Sequence, residues 1–296
     1  MKSRILLVGV VLMGLTVGSG ANGGKLVQVK GSDTLVNLVQ VLAEKYMERH
    51  PGTAIAVTGG GSGVGIAGLI NGTVDIADHS RPMKDKEYKA CYENGIVPTT
   101  VVIGIDGLSV IVNEKCPIDS LPMEEIGRVY RGEVDSWADL GGANTGITLY
   151  GRQPNSGTYV FFQEHVLGKK DYSPKMKEMN GNAQIVEGVT LDEDGIGYVG
   201  VGYVFDDKGT VRKGIKVLKV SKGDGPAHSP LNMEDVKSGR YPIARPLFQS
   251  TNGKPKGDVK SFIAFELSRE GQKIVEEQGF FAVGGEYGER NKKAGF

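Results

Sequence analysis

The sequence predicts an α/β protein whose strands are mainly parallel and whose chain forms two domains. Strand-like, turn-like and helix-like segments follow one another three times between residues 26 and 93, which is typical of a parallel sheet covered by helices. Residues 97–112 then contain two apolar strand-like segments with no helix between them, which indicates a crossing from one domain to another. A chain of 296 residues is long enough for two medium domains that each have a hydrophobic core.

The positions of the elements follow from the spacing of apolar residues, which recur every second residue in strands and every third or fourth in helices. Early in the chain this spacing predicts strands at residues 26–29, 53–58 and 74–77, and helices at 35–50, around 66–70 and at 84–93. Farther along it predicts a strand at 147–151 and helices at 123–130, 158–167, 259–267 and 272–278. Strands and helices therefore alternate on both sides of the crossing.

The first 21 residues have the composition of an export signal. Lys2 and Arg4 precede an apolar run of 13 residues at positions 5–17, which is too short to span a bilayer comfortably, and small residues follow it. We expect cleavage near Ala21, so that residues 1–21 are a signal peptide and the mature protein is exported to the periplasm or the cell surface. An uncleaved membrane anchor at the same place is the alternative.

The composition argues against nucleic acid and metal as partners. The 35 basic residues balance the 35 acidic residues, so there is no basic excess that would attract nucleic acid. The four histidines are scattered and neither cysteine lies in a metal-ligand pattern, so we predict no metal site and no cofactor. Cys91 and Cys116 could form a disulfide in an oxidising compartment or stay free, because the sequence does not place their sulfur atoms together.

Polar turns at the ends of predicted strands indicate an anion site. Gly, Ser and Thr residues at 31–35, 61–63 and 155–158 each lie between a strand and the start of a helix. Such a helix start exposes free backbone N–H groups and partial positive charge, and glycine lets an anion approach them. Arg152 precedes one of these turns, and Ser80 and Arg81 follow the strand at 74–77. The guanidinium group can hold two oxygens of a tetrahedral anion.

Each of these features also has an ordinary structural interpretation. A Gly/Ser turn before a helix is commonly only a helix cap, and a lone arginine is commonly a surface charge. Together the four turns predict an anion-binding α/β protein, because the carboxyl ends of parallel strands meet at one edge of a sheet. They do not specify which anion binds.

An enzyme is the less favoured interpretation. The Gly-x-Ser-x-Gly motif fails around Ser62, because Val64 stands where the second glycine of the motif is required. None of these turns matches the Gly-x-x-x-x-Gly-Lys-Ser/Thr pattern of nucleotide-binding loops. We therefore expect a protein that binds its ligand without chemical change.

Several short motifs, taken in their order and spacing, identify a family. They are Gly-Ser-Asp-Thr at 31–34, Gly-Gly-Gly-Ser-Gly at 59–63, Val-Asp-Ile-Ala at 74–77, Ser-Arg-Pro at 80–82, Arg-Gln-Pro-Asn-Ser-Gly-Thr at 152–158, Ile-Gly-Tyr-Val-Gly at 196–200 and Ser-Arg-Glu-Gly-Gln-Lys-Ile-Val at 268–275. With these motifs the chain resembles the phosphate-binding component of the phosphate-specific (Pst) ABC import system, in the periplasmic-binding-protein superfamily. The resemblance covers nearly all of the mature chain.

The resemblance implies a two-domain fold of type II, with the ligand in the cleft between the domains. Domain one would comprise residues 25–104 plus 250–296, and domain two residues 107–247. The protein would be a monomeric solute-binding protein that captures inorganic phosphate and delivers it to the permease and ATPase subunits of an ABC importer. Two alternatives stay open: a binding protein for another tetrahedral oxyanion (sulfate, molybdate or arsenate), and a surface adhesion or sensing protein.

The resemblance also implies a set of phosphate ligands from both domains. Domain one would supply Thr34, the backbone amide of Leu35, Ser62, Ser80 and the adjacent Arg81, and domain two would supply Arg152, Ser156, the amide of Gly157, and Thr158. Many members of the family have an aspartate where this chain has Ser80, and that carboxylate accepts the proton of phosphate. The proton acceptor, and with it the selectivity against sulfate, is therefore unassigned here.

Overall fold

A computed structural model of the protein describes residues 26–296, so the predicted signal peptide at residues 1–21 lies outside the described residues. The strands are β1 Val27–Gly31, β2 Ile55–Thr58, β3 Ile76–His79, β4 Pro98–Gly107, β5 Ser109–Asn113, β6 Ser120–Pro122, β7 Thr148–Arg152, β8 Lys177–Met179, β9 Gly195–Val199, β10 Ile215–Val217, β11 Lys219–Ser221 and β12 Ala244–Asn252. The α-helices are α1 Val36–Arg49, α2 Ser62–Ile70, α3 Asp85–Glu93, α4 Met123–Arg131, α5 Gly157–His165, α6 Asn182–Leu191, α7 Met233–Lys237, α8 Gly257–Glu266, α9 Arg269–Glu277 and α10 Gly285–Ala294.

The first sheet has the strand order β2-β1-β3-β12-β4. Strand β1 is parallel to β2 and β3, and β12 runs antiparallel to both β3 and β4. Because β1, β2 and β3 are parallel, their carboxyl ends lie at the same edge of the sheet, where each strand leads into a polar turn.

The second sheet has the strand order β10-β5-β9-β7-β8. Strand β7 is parallel to β8 and β9, whereas β5 is antiparallel to β9 and β10. Strands β6 and β11 form a separate parallel pair. Two mixed sheets flanked by helices confirm the predicted α/β class.

The chain passes between the two sheets near Leu108. Strand β4 ends at Gly107 in the first sheet, and β5 begins at Ser109 in the second. The return is complete at Ala244, which pairs with Gly107. The division into two domains stays a prediction. Residues 244–249 lie in β12, a strand of the first sheet, so the chain rejoins that sheet before residue 250. Arg245 and Pro246 interrupt the apolar pattern there, so the sequence did not indicate where β12 begins.

Helical spacing predicted the buried face of α1. Its buried residues are Leu38, Val39, Leu42, Ala43 and Tyr46, which recur at the three- and four-residue spacing that predicted a helix at 35–50. They pack into a hydrophobic core with strand residues such as Val27 and Val29. Burial of these side chains, at about 25 cal/mol for each Å² of apolar surface, holds the helix against the sheet.

Some elements have weak sequence patterns and were not predicted. Helix α6 and strand β9 follow one another at residues 182–199, and α10 closes the described chain. Strand β9 contains two glycines, which interrupt the pattern of apolar side chains, although all five of its residues are buried. Within residues 26–296 we find no helix that is both long and apolar enough to cross a membrane.

The disulfide between Cys91 and Cys116 is not formed. Both cysteines are free and buried. Cys91 packs with Ile66, Leu69 and Met83 in a small hydrophobic cluster, whereas Cys116 belongs to the main core. Burial raises the pKa of the Cys91 thiol, which lowers its reactivity.

Two buried carboxyl groups, Asp78 on strand β3 and Glu266 at the end of α8, both neighbour Gln249. Asp78 and Gln249 are directly paired on β3 and β12, and Gln249 Nε2 donates to Glu266 Oε1 at 3.1 Å. Burial raises the pKa of Asp78 to about 8, and the hydrogen bond from Gln249 opposes that rise. Burial also raises the pKa of Glu266 well above its usual range, and the nearby Asp78 adds to this shift. Both groups therefore favour the protonated state in the folded protein.

We expect the stability of the protein to decrease as pH rises from about 4 towards about 8. The folded state retains the proton of Asp78, whose pKa rises from 3.8 to about 8, while the unfolded chain releases it at low pH. Asp78→Asn removes this proton difference, so its free energy of unfolding, measured with urea at several pH values, should depend less on pH. Asp135→Asn, which removes an exposed carboxyl group, is the control. Equal slopes for Asp78→Asn and the wild type would contradict the assignment.

Candidate functional site

Four polar turns meet in the cleft between the two sheets. Strands β1, β2 and β3 of the first sheet lead into the turns that contain Thr34, Ser62 and Ser80. Strand β7 of the second sheet ends at Arg152 and leads into α5, which begins at Gly157. The sequence thus places these turns at the carboxyl ends of parallel strands, and the fold brings the two sets face to face.

Four buried hydroxyl groups form what we call the hydroxyl cluster: Thr34, Ser62, Ser80 and Thr158. The Oγ1 atoms of Thr34 and Thr158 are 3.0 Å apart, although 124 residues separate them in the chain. Ser62 Oγ accepts a hydrogen bond from the Ser80 amide at 3.0 Å and lies 3.4 Å from Ser80 Oγ. None of the four residues is more than 1% exposed. The cluster therefore joins hydroxyl groups from both sheets in a site without bulk water.

Gly157 is the point at which α5 approaches the serine pair. A Cβ atom at this position would lie 2.8 Å from Ser80 Oγ and still nearer to Ser62 Oγ. Only glycine permits so close an approach of a helix N-terminus to these hydroxyls. The first turn of α5 thus directs its partial positive charge at the cluster.

Arg245, which no sequence motif indicated, contacts the hydroxyl cluster directly. Its Nη2 atom lies 3.0 Å from Thr158 Oγ1 and 3.4 Å from Thr34 Oγ1. Its Nη1 atom donates to the carbonyl of Ser80 at 3.0 Å. The one available indication in the sequence is a charged residue within the otherwise apolar segment 243–248. A buried arginine needs a partner, but the sequence does not indicate which residue that is.

The partner of Arg245 is Asp106, which faces it across strands β4 and β12. Arg245 Nε and Nη2 donate to Asp106 Oδ2 at 3.0 and 2.8 Å, and the two residues are in register. Asp106 Oδ1 accepts the amide of Val201 at 2.8 Å, from the segment that follows β9. Burial raises the pKa of Asp106, while the guanidinium group and the Val201 amide oppose the rise. This buried pair therefore connects strands β4 and β12 of the first sheet to the segment that follows β9 of the second sheet.

Arg152, the last residue of β7, forms an ion pair across the cleft with Asp33, which precedes Thr34 in the chain. Its Nη2 atom is 2.5 Å from Asp33 Oδ2 and 3.0 Å from the carbonyl of Asn180, and Nε donates to the carbonyl of Met179 at 3.2 Å. Asp33 Oδ1 in turn accepts the Gly60 amide at 2.7 Å. The side chain of Arg152 is 1% exposed, so this pair is well shielded from solvent.

Further hydrogen bonds cross the cleft around the Asp33–Arg152 pair. The carbonyl of Asp33 accepts from the Tyr203 hydroxyl at 2.5 Å and from Asn182 Nδ2 at 3.3 Å. Asn155 Nδ2 donates to the Gly60 carbonyl at 3.0 Å, and the backbone carbonyl of Asn155 accepts the Gly63 amide at 3.0 Å. We call the Asp33–Arg152 pair and these bonds the interdomain latch. They hold the two sheets in a closed arrangement.

Three of the predicted ligand residues make other contacts. The Leu35 amide donates to the Ser32 carbonyl at 3.0 Å. Ser156 Oγ caps its own helix by accepting the amides of Thr158 and Tyr159. Arg81 forms a two-bond ion pair with Glu87 at the start of α3, at 2.8 and 2.7 Å. The fold therefore brings Thr34, Ser62, Ser80, Gly157 and Thr158 together, whereas Arg152 contacts Asp33, the residue before Thr34. The ligand role of every one of these residues stays a prediction.

The chain is similar to known proteins over most of its length. A model of the PBP superfamily domain matches residues 16–270. The chain is 32% identical to the phosphate-binding protein PstS of Pseudomonas aeruginosa over 270 residues, which are 86% of this chain and 81% of that protein. It is also 32% identical to PstS of Staphylococcus aureus over 259 residues, which are 86% of this chain and 77% of that protein.

Solved structures are similar in the same way. A Clostridium perfringens protein, assigned as a phosphate ABC transporter substrate-binding protein and crystallised with bound phosphate, has a TM-score of 0.77 and 28% identity. The comparison covers 88% of this chain and all of that one. An ABC-type phosphate transport receptor from Vibrio cholerae has a TM-score of 0.69 and 27% identity, with 87% of this chain and all of that one covered.

We expect the Asp33→Asn variant to open in the absence of any anion. The substitution removes the negative charge that neutralises buried Arg152, and an unpaired buried charge favours the hydrated, open arrangement. Small-angle X-ray scattering should therefore give a larger radius of gyration than for the wild type. Glu133→Gln, which removes the Arg131 ion pair outside the cleft, should scatter like the wild type. The same radius for all three proteins would argue against the latch.

Proposed function

The chain belongs to the PBP superfamily, the periplasmic-binding-protein superfamily that its motifs predicted, and on this premise we propose that it captures inorganic phosphate for an ABC importer. Relatives that are 32% identical over most of both chains are named phosphate-binding proteins, and the similar Clostridium perfringens structure contains bound phosphate. The protein would act outside the cytoplasmic membrane as a monomer, and the permease and ATPase subunits of the importer would be its partners.

The observation that carries the proposal is the hydroxyl cluster. Thr34, Ser62, Ser80 and Thr158 offer hydroxyl donors from both sheets, and the first turn of α5 adds the amide of Gly157. A tetrahedral anion requires donors on several sides, and donors from two facing sheets supply them only when the cleft is closed. Arg152 would contribute positive charge from the second sheet, at the edge of the cluster.

Capture would proceed by closure of the cleft. An open form would bind phosphate on one sheet, and closure would add the donors of the other sheet and exclude water. In a site of low dielectric each charge-assisted hydrogen bond becomes stronger, so the closed form would hold a dehydrated anion. The interdomain latch would then stabilise the form that docks on the permease. No step of this proposed cycle changes the ligand covalently, so the protein would act by binding alone.

A second candidate ligand is another oxyanion such as sulfate, molybdate or arsenate. The observation in its favour is Ser80, a hydroxyl at the position where the family resemblance implies a carboxylate. A hydroxyl can either donate or accept, whereas a carboxylate only accepts and would repel an anion that has no proton to donate. Asp106, the carboxylate behind the cluster, is already engaged by Arg245 and Val201. Rejection of sulfate is therefore the property most open to test.

We expect isothermal titration calorimetry on the anion-free protein to show tight binding of one phosphate per chain. The same titration in excess sulfate separates the two candidates. Phosphate binding that persists in sulfate supports a phosphate-specific protein, and binding abolished by sulfate supports a general oxyanion binder. Absence of binding to either anion would refute both and leave the adhesion or sensing class.

We expect Gly157→Ala to weaken phosphate binding by at least about tenfold. The added methyl group would occupy the space between α5 and the Ser62 and Ser80 hydroxyls, so the cleft could not close fully on the anion. Gly288→Ala, at a helix position with open space around it, is the matched control. Calorimetry measures both affinities. If Gly157→Ala bound as tightly as the control, the anion would not lie in this cluster.

A further inference from the structure

We propose that Arg245 binds the captured anion directly and supplies the positive charge at the centre of the hydroxyl cluster, with Asp106 as its positioning residue. This inference rests on the proposed function and names a ligand that neither the sequence motifs nor the family resemblance indicated. It assigns the main electrostatic role to a residue of strand β12 rather than to Arg152 alone.

The contacts of Arg152 and Arg245, both buried, distinguish their roles. The acceptors of the Arg152 guanidinium group are Asp33 Oδ2 and the carbonyls of Met179 and Asn180. Within residues 26–296, Arg245 is the arginine whose nitrogen atoms lie within hydrogen-bond distance of the cluster hydroxyls. An anion held by these hydroxyls would therefore be close to the Nη2 atom of Arg245.

The Nη2 atom of Arg245 has more acceptors than hydrogens. It lies 2.8 Å from Asp106 Oδ2, 3.0 Å from Thr158 Oγ1 and 3.4 Å from Thr34 Oγ1, but it carries only two N–H groups. At least one of these bonds is shared and weak. An anion oxygen between the two threonines could take the place of the hydroxyl acceptors, and both hydroxyl groups would then donate to the anion as well.

The surroundings of Arg245 hold the guanidinium group in place before an anion arrives. Asp106 fixes Nε and Nη2, the Ser80 carbonyl fixes Nη1, and the ring of Phe161 lies 5.2 Å from the guanidinium carbon. Arg245 is 2% exposed. Since the side chain is already ordered and dehydrated, binding costs little additional entropy or desolvation. Its charge acts in a medium of low dielectric, where attraction to an anion is strong.

Asp106 also connects this arginine to the closing movement. Arg245 and Asp106 are paired on the two strands that lead out of and back into the first sheet. Asp106 accepts the Val201 amide from the side of the second sheet, and Arg245 contacts Thr158 of that side. A guanidinium group that binds the anion from this position contacts both halves of the closed cleft.

The test compares variants with and without a positive charge at position 245. Arg245→Met in an Asp106→Asn background removes both charges, so no unpaired carboxylate is left in the interior. We expect this double variant to keep its cooperative thermal unfolding and to bind phosphate at least about tenfold more weakly than the wild type, by calorimetry. Arg245→Lys, which restores the charge with a similar side-chain length, should recover part of the lost affinity. Arg131→Gln is the control for loss of an arginine outside the cluster.

Each outcome decides the inference. A folded double variant that binds within about twofold of the wild type overturns it, as does a folded Arg245→Lys variant that binds no better than the double variant. If the wild type binds phosphate but the double variant does not fold, arginine side-chain NMR of the wild type decides. The Nε–Hε resonance of Arg245 is the one that is absent from the spectrum of the Arg245→Lys variant. In the wild type this resonance should shift when phosphate is added, and no shift at saturation overturns the inference. If the wild type itself binds no phosphate, the proposed function is wrong, and this inference, which rests on it, is wrong as well.

Discussion

The buried ion pair of Asp106 and Arg245 is the interaction on which the closed arrangement depends. It joins β4 to β12 at the point where the chain passes between the sheets, and it accepts an amide from the second sheet and contacts hydroxyls of both. Removal of either partner would leave a charge in the interior at a cost of roughly 3–5 kcal/mol. A pair of this kind adds little net stability compared with apolar side chains, so its value lies in the direction and charge that it gives to the cleft.

Close backbone approaches make the rest of the cleft possible. Gly157 brings α5 against Ser62 and Ser80, and Gly61, at φ +93°, brings the start of α2 against the carbonyl of Asn155. A side chain at either glycine would collide with the facing sheet. These two glycines therefore determine the distance between the hydrogen-bond donors of the two sheets. That distance decides whether one small anion can contact donors from both sheets.

Strand β3 shows how the fold accommodates polar groups next to such a site. Asp78, His79 and Ser80 are all buried. Burial lowers the pKa of His79 to about 4, so the imidazole is neutral, donating through Nδ1 to the Arg81 carbonyl and accepting through Nε2 from Ser250. Asp78 is held protonated by its own burial. The strand that positions Ser80 therefore carries no net charge near neutral pH, and the positive charge in the cleft comes from arginine.

Sequence alone determined the α/β class, the early strand–helix order, and the polar turns that carry Thr34, Ser62, Ser80 and Thr158. The spacing of apolar residues and the residue types of turns are local properties of the chain, so the sequence shows them directly. It did not predict β9, whose glycines conceal a buried strand, or the start of β12. The tertiary structure alone decided that Arg81 pairs with Glu87, that Cys91 and Cys116 stay apart, and that Arg245 lies beside Thr34 and Thr158. These are contacts between residues that the fold brings together or separates, and a buried charge selects its partner by position in space rather than by position in the chain.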